Sequence, residues 1–199
     1  MNKRTNRKTE YFGEYFEHNG EWLQILSNET YGVYKEILTK TIEQLDFSIE
    51  THKRILVVRF DLHVNLYTGD NKRISNFMNN IRNFLGRKYD IKKIGYIWAR
   101  ESEKSKKQHY HLVLFLDGNK IQHPKKLLRQ LTEKWLPFGH LHKLRIKEKG
   151  EKYFYYIDKN NTTTERAEAI RHMSYLAKIR CKGYRDAQAK DYGSSRQKQ

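Results

Sequence analysis

His109 and His111 stand two residues apart at the head of an apolar run, Leu112-Val113-Leu114-Phe115-Leu116, that ends in Asp117-Gly118. A run of this kind, bounded by polar residues and an Asp-Gly turn, reads as a buried strand. Successive strand side chains point to opposite faces, so the two imidazoles share one face. Paired imidazoles on a rigid strand supply half of a divalent-metal site. A hard ion such as Mg2+ or Mn2+ also needs an oxygen ligand. Glu101 closes the preceding apolar stretch, and the charged connector 101–108 has the character of a hairpin that would bring Glu101 level with His109. Glu103, inside that connector, is the alternative acid, and a solvated acidic loop is the plain reading of both. A second His-x-His, His140-Leu141-His142, follows a Pro/Gly segment and runs into basic residues, so it reads as an edge strand and ranks below the first.

A nucleophile is the other half of such chemistry. Tyr175-Leu176-Ala177-Lys178 lies in a helical stretch whose core stripe is Ile170, Met173 and Ala177. Arg171, Tyr175 and Lys178 gather on a different face of that helix. Cations around a phenol favour phenolate and orient a phosphate. A surface tyrosine lying over lysine stems is the ordinary alternative in a chain with 14 tyrosines. Asp61 and His63 alternate on one face of an earlier strand, where they could join an active surface, bind nucleic acid or simply sit at a strand edge.

The elements that must position these residues follow from periodicity. Asn28-Glu29-Thr30 is the expected cap of a helix reaching Leu45. Strands are expected at 54–64, 91–100 and 109–116, and again at 140–147 and 152–157. Helices are expected from 71 to 85, with a clean stripe of Ile74, Phe77, Met78, Ile81, Phe84 and Leu85, and from Pro124 to Trp135. The capping box Thr162-Thr163-Thr164-Glu165 opens a last helix expected to run to about Arg180. The order is that of an α+β split βαβ (RRM/ferredoxin-like) sandwich, an antiparallel sheet with helices on one face. The expected organisation is a partly helical extension over 1–50, the domain over 51–181, and a basic tail over 182–199 that is expected to be mobile.

Composition points to a partner. The chain has 199 residues and a formal charge of +17, from 40 Lys+Arg against 23 Asp+Glu, with 13% aromatic residues among them. Such a field favours polyanions, and stacking residues beside a basic groove suit single-stranded nucleic acid. Cys181 is the one cysteine, which excludes a disulfide framework and a Cys-based zinc site. No apolar leader follows Met1-Asn2-Lys3-Arg4, no window approaches a membrane span, and no Gly-x-x-x-x-Gly-Lys-Ser/Thr loop is present. The expectation is a cytoplasmic protein of a bacterial host cell, without a membrane partner or an ATP motor of its own.

HYHLVLF after a strand ending WARE, followed by HMSYLAK, resembles the HUH endonucleases, and more narrowly the inovirus-type (filamentous-phage) rolling-circle replication proteins. The similarity spans 54–196 and includes RFDLH at 59–63 and YGSSR at 192–196. The resemblance implies a five-stranded antiparallel HUH palm on which His109, His111 and an acid, Glu101 by preference, hold Mg2+ or Mn2+. It implies that Tyr175, assisted by Lys178, attacks a DNA phosphodiester to leave a 5′-phosphotyrosine and a 3′-hydroxyl that primes replication. Later attack by that hydroxyl would rejoin the strand. Arg59, Arg100, Arg171, Lys182 and Arg196 are the cations expected along single-stranded or hairpin DNA, and a host helicase and polymerase would act alongside. Residues 171 and 179 are Arg and Ile, so a second tyrosine one turn from the first is absent from this pattern. Two other readings use the same residues. A non-catalytic single-strand-binding module would stack bases on Phe60, Tyr110 and Phe115. A zinc-binding regulator would need His109, His111, His140 and His142 to converge.

Overall fold

One long strand organises the molecule, and its apolar residues fall on both faces. In the computed structural model, which describes residues 8–102, 107–143, 152–161, 163–184, 186 and 189–196, four short strands come first. They are β1 (Glu10–Tyr11), β2 (Tyr15–His18), β3 (Glu21–Gln24) and β4 (Val33–Tyr34). There follow α1 (Lys35–Thr51), β5 (Arg54–Val64), α2 (Lys72–Tyr89), β6 (Gly95–Glu101), β7 (His109–Asp117) and α3 (Pro124–Trp135). The chain continues through β8 (Gly139–Lys143), β9 (Phe154–Asp158), α4 (Thr163–Met173), a 3-10 turn (Ser174–Ala177) and β10 (Tyr192–Ser194).

The main sheet has six strands, all paired antiparallel, in the order β10-β6-β7-β5-β8, with β9 also on β5. β5 is long enough to take two partners on one edge. Its first half pairs with β9 and its second half with β8. Leu56, Val58, Phe60 and Leu62 of β5 pack with Leu112 and Leu114 of β7 against α2 and α3. Ile55, Val57, Val113 and Phe115 pack on the opposite face against α1 and α4. The expectation of helices on one face is therefore corrected. A strand apolar on both sides must be covered on both.

The flanking segments also differ from expectation. α1 starts at Lys35 rather than near Asn28, because the Asn28 side chain accepts from the Thr30 and Tyr31 amides and closes a turn instead. Ile37, Leu38, Ile42 and Leu45 of α1 are fully buried, so residues 35–51 belong to the core rather than to an appended extension. β2 and β3 form a hairpin whose turn residues, Asn19 and Gly20, both have positive φ. At the other end β10 adds to β6, and Gln44 Nε2 donates to the Ser195 carbonyl at 3.0 Å. The segment 192–195 therefore closes the open sheet edge that a mobile tail would have left bare.

Candidate metal and tyrosine site

The face of β5 that carries Ile55 and Val57 changes character at residue 59. Arg59, Asp61 and His63 replace apolar residues where the cover of α1 and α4 ends. β7 mirrors the change, with Val113 and Phe115 under the helices and His111 and His109 beyond them. Antiparallel register then aligns two rows across the sheet. Glu101, His109, His63 and His140 form one, and Ala99, His111, Asp61 and His142 form the other. The expected pairing of Glu101 with His109 is what the hairpin of β6 and β7 produces. Glu103 lies outside the described residues.

Glu101, His109 and His111 each offer a ligand atom, and these atoms lie within 4.8 Å of one another. Glu101 Oε2 is 3.6 Å from His109 Nε2 and 3.1 Å from His111 Nε2. The second oxygen, Oε1, accepts from Lys182 Nζ at 2.5 Å. Asp61 Oδ1 accepts from His111 Nδ1 at 2.6 Å, which fixes the proton on Nδ1 and leaves Nε2 as the lone-pair nitrogen. That Nε2 is buried, and although it lies close to Glu101 it makes no hydrogen bond in acceptable geometry. A buried lone pair facing a carboxylate is an arrangement that a divalent cation completes, so the donor set fits a metal ion.

Electrostatics within this pocket are strongly coupled. Burial opposes the charge on Glu101, yet Lys182 and the two imidazoles outweigh it and hold the carboxyl far below the ordinary range. Burial likewise opposes ionisation of Asp61, but the hydrogen bond from His111 lowers its pKa. Burial disfavours a charged His111, while Asp61 and Glu101 raise its pKa above the ordinary imidazole value, so a proton competes with a metal for this ring.

Tyr175 reaches the same pocket from the 3-10 turn rather than from a continuous helix. The expected helix to about Arg180 is corrected: α4 ends at Met173. Ser174 Oγ donates to the Arg171 carbonyl at 2.6 Å and accepts from the Leu26 amide at 2.8 Å. The Ile179 amide donates to the Gly32 carbonyl at 3.0 Å, pinning the far side of the turn. A Cβ on Gly32 would lie 2.7 Å from the side chains of both Ile179 and Phe12, so a larger residue here would have to displace them. The Tyr175 ring meets the His111 ring edge-on at 5.0 Å. Arg59 lies 4.3 Å and Lys178 Nζ 3.7 Å from its centroid. Burial and then Glu101 push the phenol pKa up, against the pull of Arg59, so the expectation that its cations hold a phenolate is corrected. Burial lowers the pKa of Lys178, with Glu101 opposing.

The remaining expected contacts divide. Arg59 is buried and donates to the His172 carbonyl at 3.0 Å, while its Nε has no hydrogen-bond partner among the described residues. Arg171 is exposed on α4. Arg196 is exposed beside Gly95 and Tyr96, at the end of β6 remote from Glu101, where Arg82, Lys92 and Lys93 share a cleft of about 730 Å3 with it. Arg100 and Lys182 are corrected as surface contacts, because each is at most 2% exposed. Arg100 turns to the opposite face and donates to the carbonyls of Thr68 and Asp70, both at 2.6 Å. Phe60, Tyr110 and Phe115 are fully buried in the core and offer no stacking platform. His140 and His142 lie on the site face, with His63 between them and His109, so the four imidazoles of the zinc reading do not converge on one point.

No helix among the described residues is long and apolar enough to cross a membrane. No curated protein matches the sequence. The model of the YagK/YfjJ C-terminal domain matches residues 17–195, from the β2 hairpin to just beyond β10, and so takes in every element of the main sheet and the whole of this site. The chain belongs to the YagK/YfjJ C-terminal domain family.

Proposed function

We propose that the protein is a metal-dependent nicking and joining enzyme for single-stranded DNA that works through a phosphotyrosine at Tyr175, in the manner of the HUH endonucleases it resembles, and that it initiates rolling-circle replication of a phage or mobile element in a bacterial cytoplasm. One observation carries the reading. Glu101, His109 and His111, on two adjacent strands, and Tyr175, more than 60 residues further on, meet on one face of the sheet. The strand order, with β7 between β5 and β6 and α2 joining those two, also suits a split βαβ palm of the HUH kind.

Each residue then has a task. Glu101, His109 and His111 would hold the divalent cation, whose contribution is to polarise a non-bridging phosphate oxygen. Two imidazoles and one carboxylate favour Mn2+ over Mg2+. Lys182 fixes one oxygen of Glu101 and leaves the other facing the imidazoles. Asp61 sets the tautomer of His111. Arg59, whose Nε–H has no partner among the described residues, and Lys178 flank the phenol, where they would seat the phosphate and offset the charge of the pentacovalent state. Tyr175 Oη forms a bond to phosphorus as the bond to the 3′ oxygen breaks; the phenol loses its proton and the leaving oxygen gains one. Retention of the bond energy in the phosphotyrosine lets the 3′-hydroxyl reverse the step without ATP.

The test uses end-labelled single-stranded and stem-loop oligonucleotides incubated with protein and Mn2+. Cleavage that needs Mn2+ and is lost in His111→Ala is the expected result. Strand binding without cleavage across a randomised library, with a full complement of bound metal, would refute the reading.

A further inference from the structure

The catalytic reading leaves three imidazoles on the same face without a task. His63 on β5 and His140 and His142 on β8 form a triangle. Their ring centroids are separated by 5.0 Å (His63 to His140), 4.8 Å (His63 to His142) and 4.9 Å (His140 to His142). Register places them by construction, since His63 pairs with His140 and Asp61 with His142. The support beneath is rigid. Trp135 Nε1 donates to the His63 carbonyl at 2.9 Å, and β8 approaches β5 so closely at Gly139 that a Cβ there would sit 1.9 Å from that same oxygen.

We propose that His63, His140 and His142 form a second metal site, separate from that of Glu101, His109 and His111, for a borderline transition-metal ion such as Zn2+, Co2+ or Ni2+. Three nitrogen donors without a carboxylate disfavour Mg2+ and Ca2+ and suit these ions. The rings of His63 and His140 lie within 10° of parallel, so their in-plane lone pairs do not meet as they stand. Metal uptake therefore turns at least one ring about its side-chain bonds, a change that costs little for His140 and His142, which are exposed. His63 is also stacked on His109 at 5.1 Å, so the two sites adjoin.

The test is a Co2+ titration of the metal-stripped full chain, read by visible absorption and by elemental analysis after desalting. Wild type is expected to bind about two equivalents. His140→Ala/His142→Ala, both at exposed positions, is expected to keep about one equivalent, and Glu101→Gln to lose the other and keep this one. Two equivalents retained by the double variant, or one equivalent in wild type that disappears in Glu101→Gln, would overturn the second site. The latter result would leave the proposed catalytic site standing.

Discussion

Replacing Lys182 by Met isolates the interaction on which the acid ligand depends. The Lys182 side chain is 0% exposed and that of Glu101 7%, and their charged atoms are 2.5 Å apart. Met fills much of the lysine volume, so packing is largely kept while Glu101 loses its cation in a site that excludes water. Removing one partner of a buried pair costs about 3–5 kcal/mol, because the remaining charge is left uncompensated. For a chain of this length that corresponds to a drop in Tm of roughly 6–20 °C. The same logic fixes a second, more discriminating readout. A divalent ion at Glu101, His109 and His111 supplies the missing positive charge, so saturating Mn2+ is expected to raise the Tm of Lys182→Met by more than it raises that of wild type. Differential scanning fluorimetry of the metal-stripped proteins, with and without Mn2+, makes both measurements. A variant within 2 °C of wild type (about 1 kcal/mol or less), or one whose response to Mn2+ is smaller than that of wild type, would refute the reasoning.

Four other outcomes follow from the same geometry. Asp61→Ala removes the acceptor that sets the His111 tautomer and is expected to weaken Mn2+ binding about 10–100-fold by isothermal calorimetry, with the fold retained. In the metal-free protein the raised His111 pKa contributes stability that is fully present below the unfolded value of 6.5 and lost as pH rises through the folded value, whereas the lowered Asp61 and Glu101 values contribute stability present above 3.8 and 4.5 and lost as pH falls through their folded values. Its Tm is therefore expected to fall as pH rises from 6.5 through the raised His111 value, and Mn2+, which displaces the His111 proton, to bind more tightly over the same rise. Gly139→Ala places a methyl against the His63 carbonyl and is expected to push β8 from β5 at a cost of about 1–3 kcal/mol or more, read by urea denaturation. Tyr175→Phe is expected to leave Mn2+ affinity unchanged, because the phenol is not among the ligands, while removing the covalent product.

The strands and helices with a clean period were legible in the sequence. β5, α2, β7 and α3 lie where apolar spacing puts them, because each buries an unbroken stripe. The cluster of Glu101, His109 and His111 was legible for the same reason, since a charged connector between two strands can bring Glu101 level with His109. The β2 hairpin carried a signal, Asn19-Gly20, that mixed aromatic and acidic neighbours obscure. The burial of Lys182 carried none. A lysine in a basic tail reads as solvated, and only its meeting with Glu101, 81 residues away, gives it another role. Arg100 misleads likewise, because its alternation on β6 points it away from the site toward the carbonyls of Thr68 and Asp70. The end of α4 was hidden in Ser174, whose hydroxyl bonds back to Arg171 and across to Leu26 and turns the chain before the helical pattern of the sequence runs out.

In the proposed reaction Tyr175 becomes covalently joined to DNA. Trypsin cleavage after Arg171 and Lys178 isolates the peptide 172–178, in which Tyr175 is the only tyrosine. Mass spectrometry of the protein after reaction with a single-stranded substrate and Mn2+, followed by nuclease and trypsin digestion, tests the claim directly. The expected result is a nucleotide 5′-phosphate on peptide 172–178, absent when Mn2+ is withheld. A nucleotide on any other peptide, or cleavage of the strand with peptide 172–178 unmodified throughout the reaction, would contradict it.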